Sequence, residues 1–443
     1  MILGINNNKG KSKYTCIIKS IFSKPTLLIY LYIVCIFLML GRFYVTNSVI
    51  SGDGVYYYVN IKSILLDEDL NFKNDYEYFY NKTSPFTGNR KMPSIPNPDP
   101  ITNMLPNKYP IGNVILLAPF FFIGHITTLA LNQTALIFPP DGFNSLYQLS
   151  VGLGSLSMAF LGILLVYYLG KNIYGHSIAL IGSVVIWLAT PLIYYMTMEP
   201  LMSHSLSMFS VTLFVFIWYF IKDNRNLLQW AGLGIVGGMV SITRYQDGLF
   251  LLIPLIDAAY LIIIEKRISL SSIKYHVIKF CVFSLSFLAV FSIQLYVNKV
   301  LYGSPLKTGY IGEGFLFWDS PKLLYTLFSP QSGLLLWSPV LILSFLGLGM
   351  LAKSHCRFAF VLIISFLFQW YLVSSWSSVS QGDSFGNRML INSTVIFAVG
   401  LMELIKNLKP NIQNMHYYLF SFLIIANAVL AGLYSLRIIG NPY

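Results

Sequence analysis

The sequence predicts an all-α polytopic membrane protein with about eleven transmembrane helices. Of its 443 residues, 56% are hydrophobic and only 10% are charged, against about 25% charged residues in an average soluble domain. The apolar residues occur in runs of about 18 to 25, which is the length that a helix needs to cross about 30 Å of hydrocarbon. Each run must be helical, because lipid offers the backbone no hydrogen-bonding partner.

Short polar breaks separate these runs and divide the chain, residues 1–443, into the helices of a single transmembrane domain. We expect the spans near residues 25–46, 146–169, 176–195, 203–221, 228–243, 247–264, 277–299, 333–352, 357–376, 389–406 and 415–436.

The placement of lysine and arginine predicts the orientation. Five lysines and no acid precede residue 25, which favours a cytoplasmic N-terminus. With eleven spans, the cytoplasmic side takes sixteen bases and three acids, whereas the other side takes thirteen of each. This pattern predicts an inner (plasma) membrane protein with an extracytoplasmic C-terminus. The basic residues flank apolar runs rather than cover one soluble face, so the net charge of +12 does not indicate a nucleic-acid partner.

One apolar run, residues 111–131, is left out of the spans. Counting it would invert every later loop and place the basic breaks on the wrong side of the membrane. We therefore predict that it is a re-entrant or interfacial helix. An ordinary span with an unrecognised partner at residues 132–145 is the alternative.

Two predicted outer segments, residues 51–110 and 300–332, are too long and polar to be simple connections. In the first, residues 55–66 have apolar side chains at helical spacing, which predicts an amphipathic helix on the membrane surface. The proline-rich stretch at residues 83–106 is predicted to be irregular. We infer that the working surface of the protein lies on the non-cytoplasmic side.

Asp53 opens the first outer segment, between Gly52 and Gly54. Flanking glycines let the backbone turn sharply and let a ligand approach the carboxylate closely. The alternative is that Asp53 only caps the N-terminus of the following helix.

The acids Asp67, Glu68 and Asp69 follow the same predicted helix. Three adjacent acids are more typical of a solvated turn than of a cation site, which needs oxygens from several parts of the chain. No feature of the sequence requires a cofactor, and a divalent metal stays an open, unsupported alternative.

Two other outer breaks carry charged residues. Arg244 and Asp247 lie between two short spans, where they either bind a ligand or form an ion pair that staples the hairpin. Glu199 and His204 lie in another break, where the histidine has either a structural or a catalytic role.

The last outer break ends with Asn387 and Arg388, directly before a span. An arginine beside a helix N-terminus suits an anion such as phosphate. The alternative is that Arg388 is a plain interfacial anchor.

Taken together, the motifs of the outer segments resemble those of the GT-C superfamily of membrane glycosyltransferases, which includes bacterial lipid A aminoarabinose transferases and eukaryotic protein O-mannosyltransferases. The resemblance covers most of the chain and rests on the order and common side of the motifs. These are Ser51-Gly52-Asp53-Gly54, Asn107-Lys108-Tyr109-Pro110, Pro200 to His204, Tyr302-Gly303-Ser304-Pro305, Phe328-Ser329-Pro330 and Phe385-Gly386-Asn387-Arg388.

The resemblance implies a polyprenyl-phosphate-linked sugar as donor and transfer to a glycan or lipid acceptor outside the cytoplasm. The family's general base is an acid just after the first span, which matches Asp53. Members often carry two adjacent acids there, whereas Gly54 follows here, so a second acid would have to come from elsewhere.

We therefore predict an inverting glycosyltransferase, a hexosyl or pentosyl transferase, with Asp53 as its base. O-antigen is one plausible acceptor among the cell-envelope glycans. The candidate phosphate-binding and substrate-binding residues are Lys108, Tyr109, Glu199, His204, Arg244, Asp247, Tyr310, Glu313, Asn387 and Arg388.

The alternative function is a flippase or transporter of lipid-linked sugars. Transporters tend to place polar groups near the bilayer midplane. Asp257 is the clear mid-span charge in this sequence, and no internal repeat accompanies it.

Overall fold

The computed structural model describes residues 25–80, 95–134, 137–223, 226–264, 270–310, 312–408 and 413–439. Every regular element in these ranges is a helix, and the predicted all-α polytopic class is confirmed. The basic tail at 1–24, the first half of the proline-rich stretch (residues 83–94) and several basic breaks, at residues 225, 266, 267 and 409, lie outside the described residues.

Helices follow one another along the whole described chain. The first four are α1 (Thr26–Thr46), α2 (Gly54–Lys62), α3 (Lys73–Tyr80) and α4 (Gly112–Leu131). The others are α5 (Ser145–Tyr174), α6 (His176–Leu188), α7 (Leu192–Thr197), α8 (His204–Ile221), α9 (Leu227–Thr243), α10 (Ile253–Ile263), α11 (Leu270–Tyr302), α12 (Leu323–Phe328), α13 (Leu334–Trp337), α14 (Val340–Ser354), α15 (Cys356–Ser375), α16 (Thr394–Lys406) and α17 (Gln413–Ser435).

Nine helical segments of the described chain are long and apolar enough to cross a bilayer. Eight of them, together with the shorter apolar helices α6, α9 and α14, coincide with the eleven predicted spans. The ninth is α4, which corresponds to the apolar run that the charge distribution excluded from the spans.

The start of α4 and the connection that follows it contact elements near Asp53. At its start, Gly112 packs so closely on α9 that an added Cβ would lie 2.5 Å from the backbone nitrogen of Thr243. Beyond its end, the backbone carbonyl of Gly142 accepts a hydrogen bond from the Tyr58 hydroxyl of α2. The placement of α4 in the membrane interface stays a prediction, and these contacts are compatible with it.

Helix α2 lies at the position of the predicted amphipathic helix, and a π-helical turn, Ser63–Asp67, extends it. A helix on the membrane surface would leave its polar side chains exposed, but those of α2 are buried. Asn60 donates to the Tyr109 carbonyl (3.3 Å), and Lys62 pairs with Asp67 (2.5 Å) and with the buried Asp75 (3.3 Å). The polar side is covered because the chain around Tyr109 and α3 folds back over it.

The membrane-spanning helices pack closely through small residues. An added Cβ on Gly234 or Gly238 of α9 would lie 2.3 Å from the Phe283 carbonyl oxygen or 2.5 Å from Val290 Cβ of α11. Small residues four positions apart let two helix backbones approach, which is how helices associate where lipid removes the hydrophobic driving force. This packing fixes α9, whose end carries Arg244 of the site.

Asp257 lies at the end of the bundle opposite Asp53. Its carboxylate accepts two hydrogen bonds from Arg357 of α15, at 2.6 and 3.0 Å, and one from the indole of Trp218 at 3.3 Å. Arg357 also binds Asp223 at 2.7 Å. The mid-span charge predicted from sequence is thus part of a buried ion-pair network that joins α8, α10 and α15.

Candidate active site

Asp53 lies in a tight turn between α1 and α2. Gly52 adopts a left-handed conformation (φ +50°), and the Gly54 amide donates to the Ser51 carbonyl (2.9 Å). The Asp53 side chain makes no capping hydrogen bond to α2. Instead its Oδ2 lies 3.2 Å from Nη2 of Arg388, with 31% of the side chain exposed. The turn therefore presents a partly open carboxylate to an arginine from a distant part of the chain.

Arg388 begins a short 3-10 helix, Arg388–Ser393, that leads into α16. The preceding Gly386 is left-handed (φ +61°), and an added Cβ there would lie 2.7 Å from Pro191 Cγ. The Phe385 amide donates to the Tyr195 hydroxyl at 3.0 Å. Glycine is required at this close approach, and the loop conformation that results directs the guanidinium toward Asp53.

Arg244 ends α9 in an extended conformation (φ −152°, ψ 127°). Its Nη1 donates to Nδ1 of His204 at 2.8 Å, and its Nη2 donates to Gln246 at 3.4 Å. A guanidinium can only donate, so the imidazole accepts at Nδ1 and is the neutral tautomer with its proton on Nε2. Gln246 in turn donates to the Met389 carbonyl, 2.8 Å away, beside Arg388.

Glu199 and Arg42 complete the charged group. Burial raises the pKa of the Glu199 carboxyl, and the positive charges of Arg42 and Arg388 act in the opposite direction. Arg42, near the end of α1, donates from Nη2 to the Ser51 hydroxyl at 3.3 Å. Its Nη1 is buried and has no hydrogen-bond partner among the described residues.

We refer to Arg42, Asp53, Glu199, Arg244 and Arg388 as the Asp53 cluster. Its members act electrostatically on the same neighbours: Asp53, Arg244 and Arg388 all influence Tyr57, and Asp53, Arg42 and Arg388 all influence Glu199. One site is therefore formed by residues from five separate segments. These are α1, the turn before α2, the α7–α8 connection, the end of α9 and the start of the Arg388 helix.

Three tyrosines form a wall beside the Asp53 cluster. The rings of Tyr57 and Tyr109 lie 4.5 Å apart, and the ring of Tyr310 lies 6.2 Å from that of Tyr109. The Tyr57 hydroxyl accepts a hydrogen bond from Ser203 at 2.7 Å. Burial raises the pKa of all three phenols, so they stay neutral at physiological pH.

Lys108 and Glu313 form an ion pair at the edge of this wall. Lys108 Nζ lies 2.6 Å from the Glu313 carboxylate, and both side chains are about a third exposed. The same ammonium lies 5.4 Å from the ring centre of Tyr109 and 5.8 Å from that of Tyr310. The pair connects the first long segment, residues 51–110, to the second one, residues 300–332.

The sequence and the fold are similar to those of known proteins. Residues 143–295 match the family model described as dolichyl-phosphate-mannose-protein mannosyltransferase. The fold matches the crystal structure of ArnT from Cupriavidus metallidurans in the apo state, with a TM-score of 0.54 and 12% sequence identity. The match covers 91% of this chain and 63% of the ArnT chain. The fold is therefore similar to that of ArnT. No curated protein matches the sequence.

The resemblance to the GT-C superfamily is thus confirmed, and the chain spans 63% of the length of its structural match. The part matched by the family model contains His204 and Arg244 but neither Asp53 nor Arg388. The likeness therefore concerns the fold, while the roles of individual residues rest on their geometry in this chain.

Two of the predicted site residues are buried and hydrogen-bonded to neighbouring segments. Asp247 is fully buried and accepts hydrogen bonds from Ser207 (2.5 Å) and Asn392 (2.8 Å); its carboxylate makes no ion pair with Arg244. Asn387 is also buried, and its side chain accepts from Gln381 (2.8 Å) and donates to the Thr326 carbonyl (3.1 Å). These side chains hold the segments that carry Arg244 and Arg388.

The acids of the first outer segment form a turn. Asp69 accepts hydrogen bonds from the Ser63 hydroxyl (2.7 Å) and the Asn71 amide (3.0 Å), and Glu68 is left-handed (φ 59°). Among the residues that the structure describes, no group of three or more histidine, cysteine, aspartate or glutamate side chains could hold a metal ion.

Arg42 is the site residue that the sequence analysis missed. The available signal was an arginine within the first apolar run, one turn before its end, because a charge at that depth is costly unless it is paired or functional.

Proposed function

We propose that this GT-C chain is an inverting glycosyltransferase that moves a sugar from a polyprenyl-phosphate-linked donor to a hydroxyl of a lipid-linked or cell-surface glycan. One observation carries the proposal. Two arginines beside the partly open Asp53, Arg42 and Arg244, contact no carboxylate among the described residues, and each has a guanidinium with neutral partners only. Such a pair of cations is suited to an anionic ligand.

The phosphodiester of a polyprenyl-phosphate sugar fits this requirement. Guanidinium groups recognise phosphate oxygens through charge-assisted hydrogen bonds, which are about twice as strong as neutral ones. The phosphate gains negative charge when the sugar leaves, so fixed arginines stabilise the transition state more than the bound donor. Lys108, which pairs with Glu313 at the edge of the tyrosine wall and is partly exposed, is a further cation near the site.

Asp53 is the proposed general base. As the acceptor hydroxyl attacks the anomeric carbon, its oxygen forms the new glycosidic bond and its proton passes to the Asp53 carboxylate. The bond between the anomeric carbon and the phosphate oxygen breaks, and its electron pair leaves with the polyprenyl phosphate. Arg388, 3.2 Å from Asp53 Oδ2, fixes the orientation of the base. A single in-line displacement of this kind inverts the anomeric configuration.

Glu199 supplies the second acid, which Gly54 cannot provide beside Asp53. It comes from the α7–α8 connection and lies close enough for the Asp53 charge to raise its pKa further. We assign it to hydrogen bonds with hydroxyl groups of the sugar or acceptor. Tyr109 and Tyr310 offer flat apolar surfaces on which a sugar ring can stack.

We propose that the Asp53 end of the bundle faces the non-cytoplasmic side of the plasma membrane. The test uses right-side-out membrane vesicles and a membrane-impermeant maleimide. One variant carries Asp319→Cys with serine in place of Cys16, Cys281 and Cys356, and a second keeps the native, exposed Cys356 at the opposite end. We expect labelling of the first variant in intact vesicles and of Cys356 only after permeabilisation. The reverse pattern would contradict the orientation.

The flippase alternative gains no support from the part of the chain that the structure describes. Asp257, the mid-span charge that a transporter would use, is bound by Arg357 and Trp218 at the far end of the bundle from Asp53.

The activity is tested by incubating the purified protein with a panel of polyprenyl-phosphate hexoses and pentoses and a panel of glycan acceptors. Mass analysis of the lipid fraction measures the released polyprenyl phosphate. We expect release with at least one donor, accompanied by a glycosylated acceptor of matching mass. Movement of intact donor across reconstituted vesicles without release would favour transport instead.

A further inference from the structure

The loop before Arg388, residues 381–387, is held on its inner side by hydrogen bonds. The Gln381 side chain donates to Asn387 (2.8 Å) and accepts from the Met389 amide (3.2 Å). Gln381 and Gly382 are both left-handed, with φ of +61° and +62°. The loop therefore has a strained backbone that needs contacts to keep its conformation.

The tip of the loop binds the last helix. Asp383 Oδ1 accepts a hydrogen bond from the Tyr434 hydroxyl of α17 at 2.5 Å, and Asp383 Oδ2 forms an ion pair with Arg437 just beyond that helix. Arg437 is itself left-handed (φ +58°), a conformation that brings its side chain back toward the loop. These contacts join the end of α17 to the segment that positions Arg388.

Helix α17 has few other anchors. Only 17% of its most apolar stretch is buried, against 83% for the segment that contains Arg388 and α16. Asn427 binds the carbonyls of Leu188 (2.8 Å) and Thr190 (3.0 Å) halfway along the helix. The contacts with Asp383 and the ring contacts of Tyr434 thus hold the C-terminal end of α17.

An aromatic group and a cavity lie between α17 and the loop. The rings of Tyr194, Phe385 and Tyr434 lie within 4.9 to 5.5 Å of one another, and Trp337 packs against Phe385 at 5.3 Å. Beside them is a largely apolar cavity of about 440 Å³, bordered by α13, the loop and α17. The space allows the loop to move if its tip is released.

We propose that Asp383, Tyr434 and Arg437 are positioning residues, through which α17 holds the 381–387 loop so that Arg388 faces Asp53. Only the kinetic part of this inference rests on the proposed function. The contact itself is a property of the fold, and it can be tested without any substrate.

The first test measures amide hydrogen exchange in the full-length protein in detergent. In Asp383→Asn, which cannot pair with Arg437, we expect peptides covering residues 381–389 to exchange about tenfold faster, because the loop opens locally more often. Peptides from α2 should be unchanged. The matched control is Asp319→Asn, an exposed aspartate outside the Asp53 cluster. Wild-type protection of residues 381–389 in Asp383→Asn would overturn the proposal.

A second pair of variants distinguishes loss of the Asp383 contacts from general damage to α17. Tyr434→Phe removes the hydroxyl that binds Asp383, whereas Tyr418→Phe changes an exposed tyrosine of the same helix. We expect faster exchange at residues 381–389 only in Tyr434→Phe. Equal effects of the two substitutions would overturn the assignment.

The kinetic test asks whether Asp383 acts through Arg388. With a donor identified by the panel, we expect Asp383→Asn to lower kcat/KM about tenfold, and to have no further effect in the Arg388→Gln background, because coupled residues are not additive. Additive losses would overturn a role through Arg388. If no donor is turned over, the exchange experiment still decides whether the Asp383 contacts hold the 381–387 loop.

Discussion

Replacing Asp53 by asparagine is expected to lower the rate of sugar transfer by about 10²- to 10⁴-fold, the usual contribution of a general base. Asparagine keeps the shape of the side chain but cannot accept the proton of the acceptor hydroxyl. Since Asp53 makes no capping hydrogen bond and its side chain is 31% exposed, the substitution should leave α2 and the fold intact. The measurement is the rate of polyprenyl phosphate release at saturating donor.

The matched control for this prediction is Asp319→Asn, which removes an exposed carboxylate elsewhere on the predicted outer side. We expect wild-type transfer in that variant, and equal expression and melting temperature in both. Donor binding should persist in Asp53→Asn, because the arginines that we assign to the phosphate are unchanged. Transfer at the wild-type rate in Asp53→Asn would rule out Asp53 as the base.

Replacing Arg244 by glutamine is expected to lower kcat/KM by about 10²- to 10³-fold, the cost of removing one preorganised group that stabilises developing charge. Arg244 is bound by neutral partners, His204 and Gln246, so its charge is available to a phosphate. Glutamine is shorter and uncharged, but it remains a polar hydrogen-bond donor at the same position. Kinetics at several donor concentrations give the loss in kcat and KM separately.

Lysine at position 244 provides the comparison, because it restores the charge without the planar, two-pronged donor group. We expect Arg244→Lys to recover part of the activity lost in Arg244→Gln. If both variants retain wild-type kcat and KM, the phosphate does not bind at Arg244 and the assignment is wrong.

The positions of the helices were predictable from the sequence, because hydrocarbon permits few alternatives to a helix of about 20 apolar residues. All eleven predicted spans contain an apolar helix. The shorter helices α6, α9 and α14 were also recognised, since the basic residues at their ends mark the polar breaks. The 3-10 turns that begin at Tyr245 and Arg388 were not, because they depend on tertiary contacts.

Most residues of the site were predictable from the sequence, but the contacts between their side chains were not. Sequence proximity suggested an ion pair between Arg244 and Asp247, whereas Asp247 is bound by Ser207 and Asn392 from other segments. The contact between Asp53 and Arg388 joins opposite ends of the chain, and no local pattern encodes it. Likewise, the covered polar side of α2 depends on how the rest of the first outer segment folds.

Glu199 illustrates what the fold adds to a motif. The sequence offered one acid after the first span and no candidate for a second beside it. Folding brings the α7–α8 connection next to that turn, where burial raises the pKa of Glu199 and Asp53 raises it further. The sequence named Glu199 as a candidate site residue, but only the fold places its carboxylate near Asp53.

The anomeric configuration of the product tests most directly whether Asp53 is a base in a single displacement. The donor sugar identified by the panel is transferred, and the linkage formed is determined by nuclear magnetic resonance. We predict a product with the configuration opposite to that of the donor. A product with the donor's configuration would show a double displacement, in which a carboxylate attacks the sugar, and would contradict the mechanism.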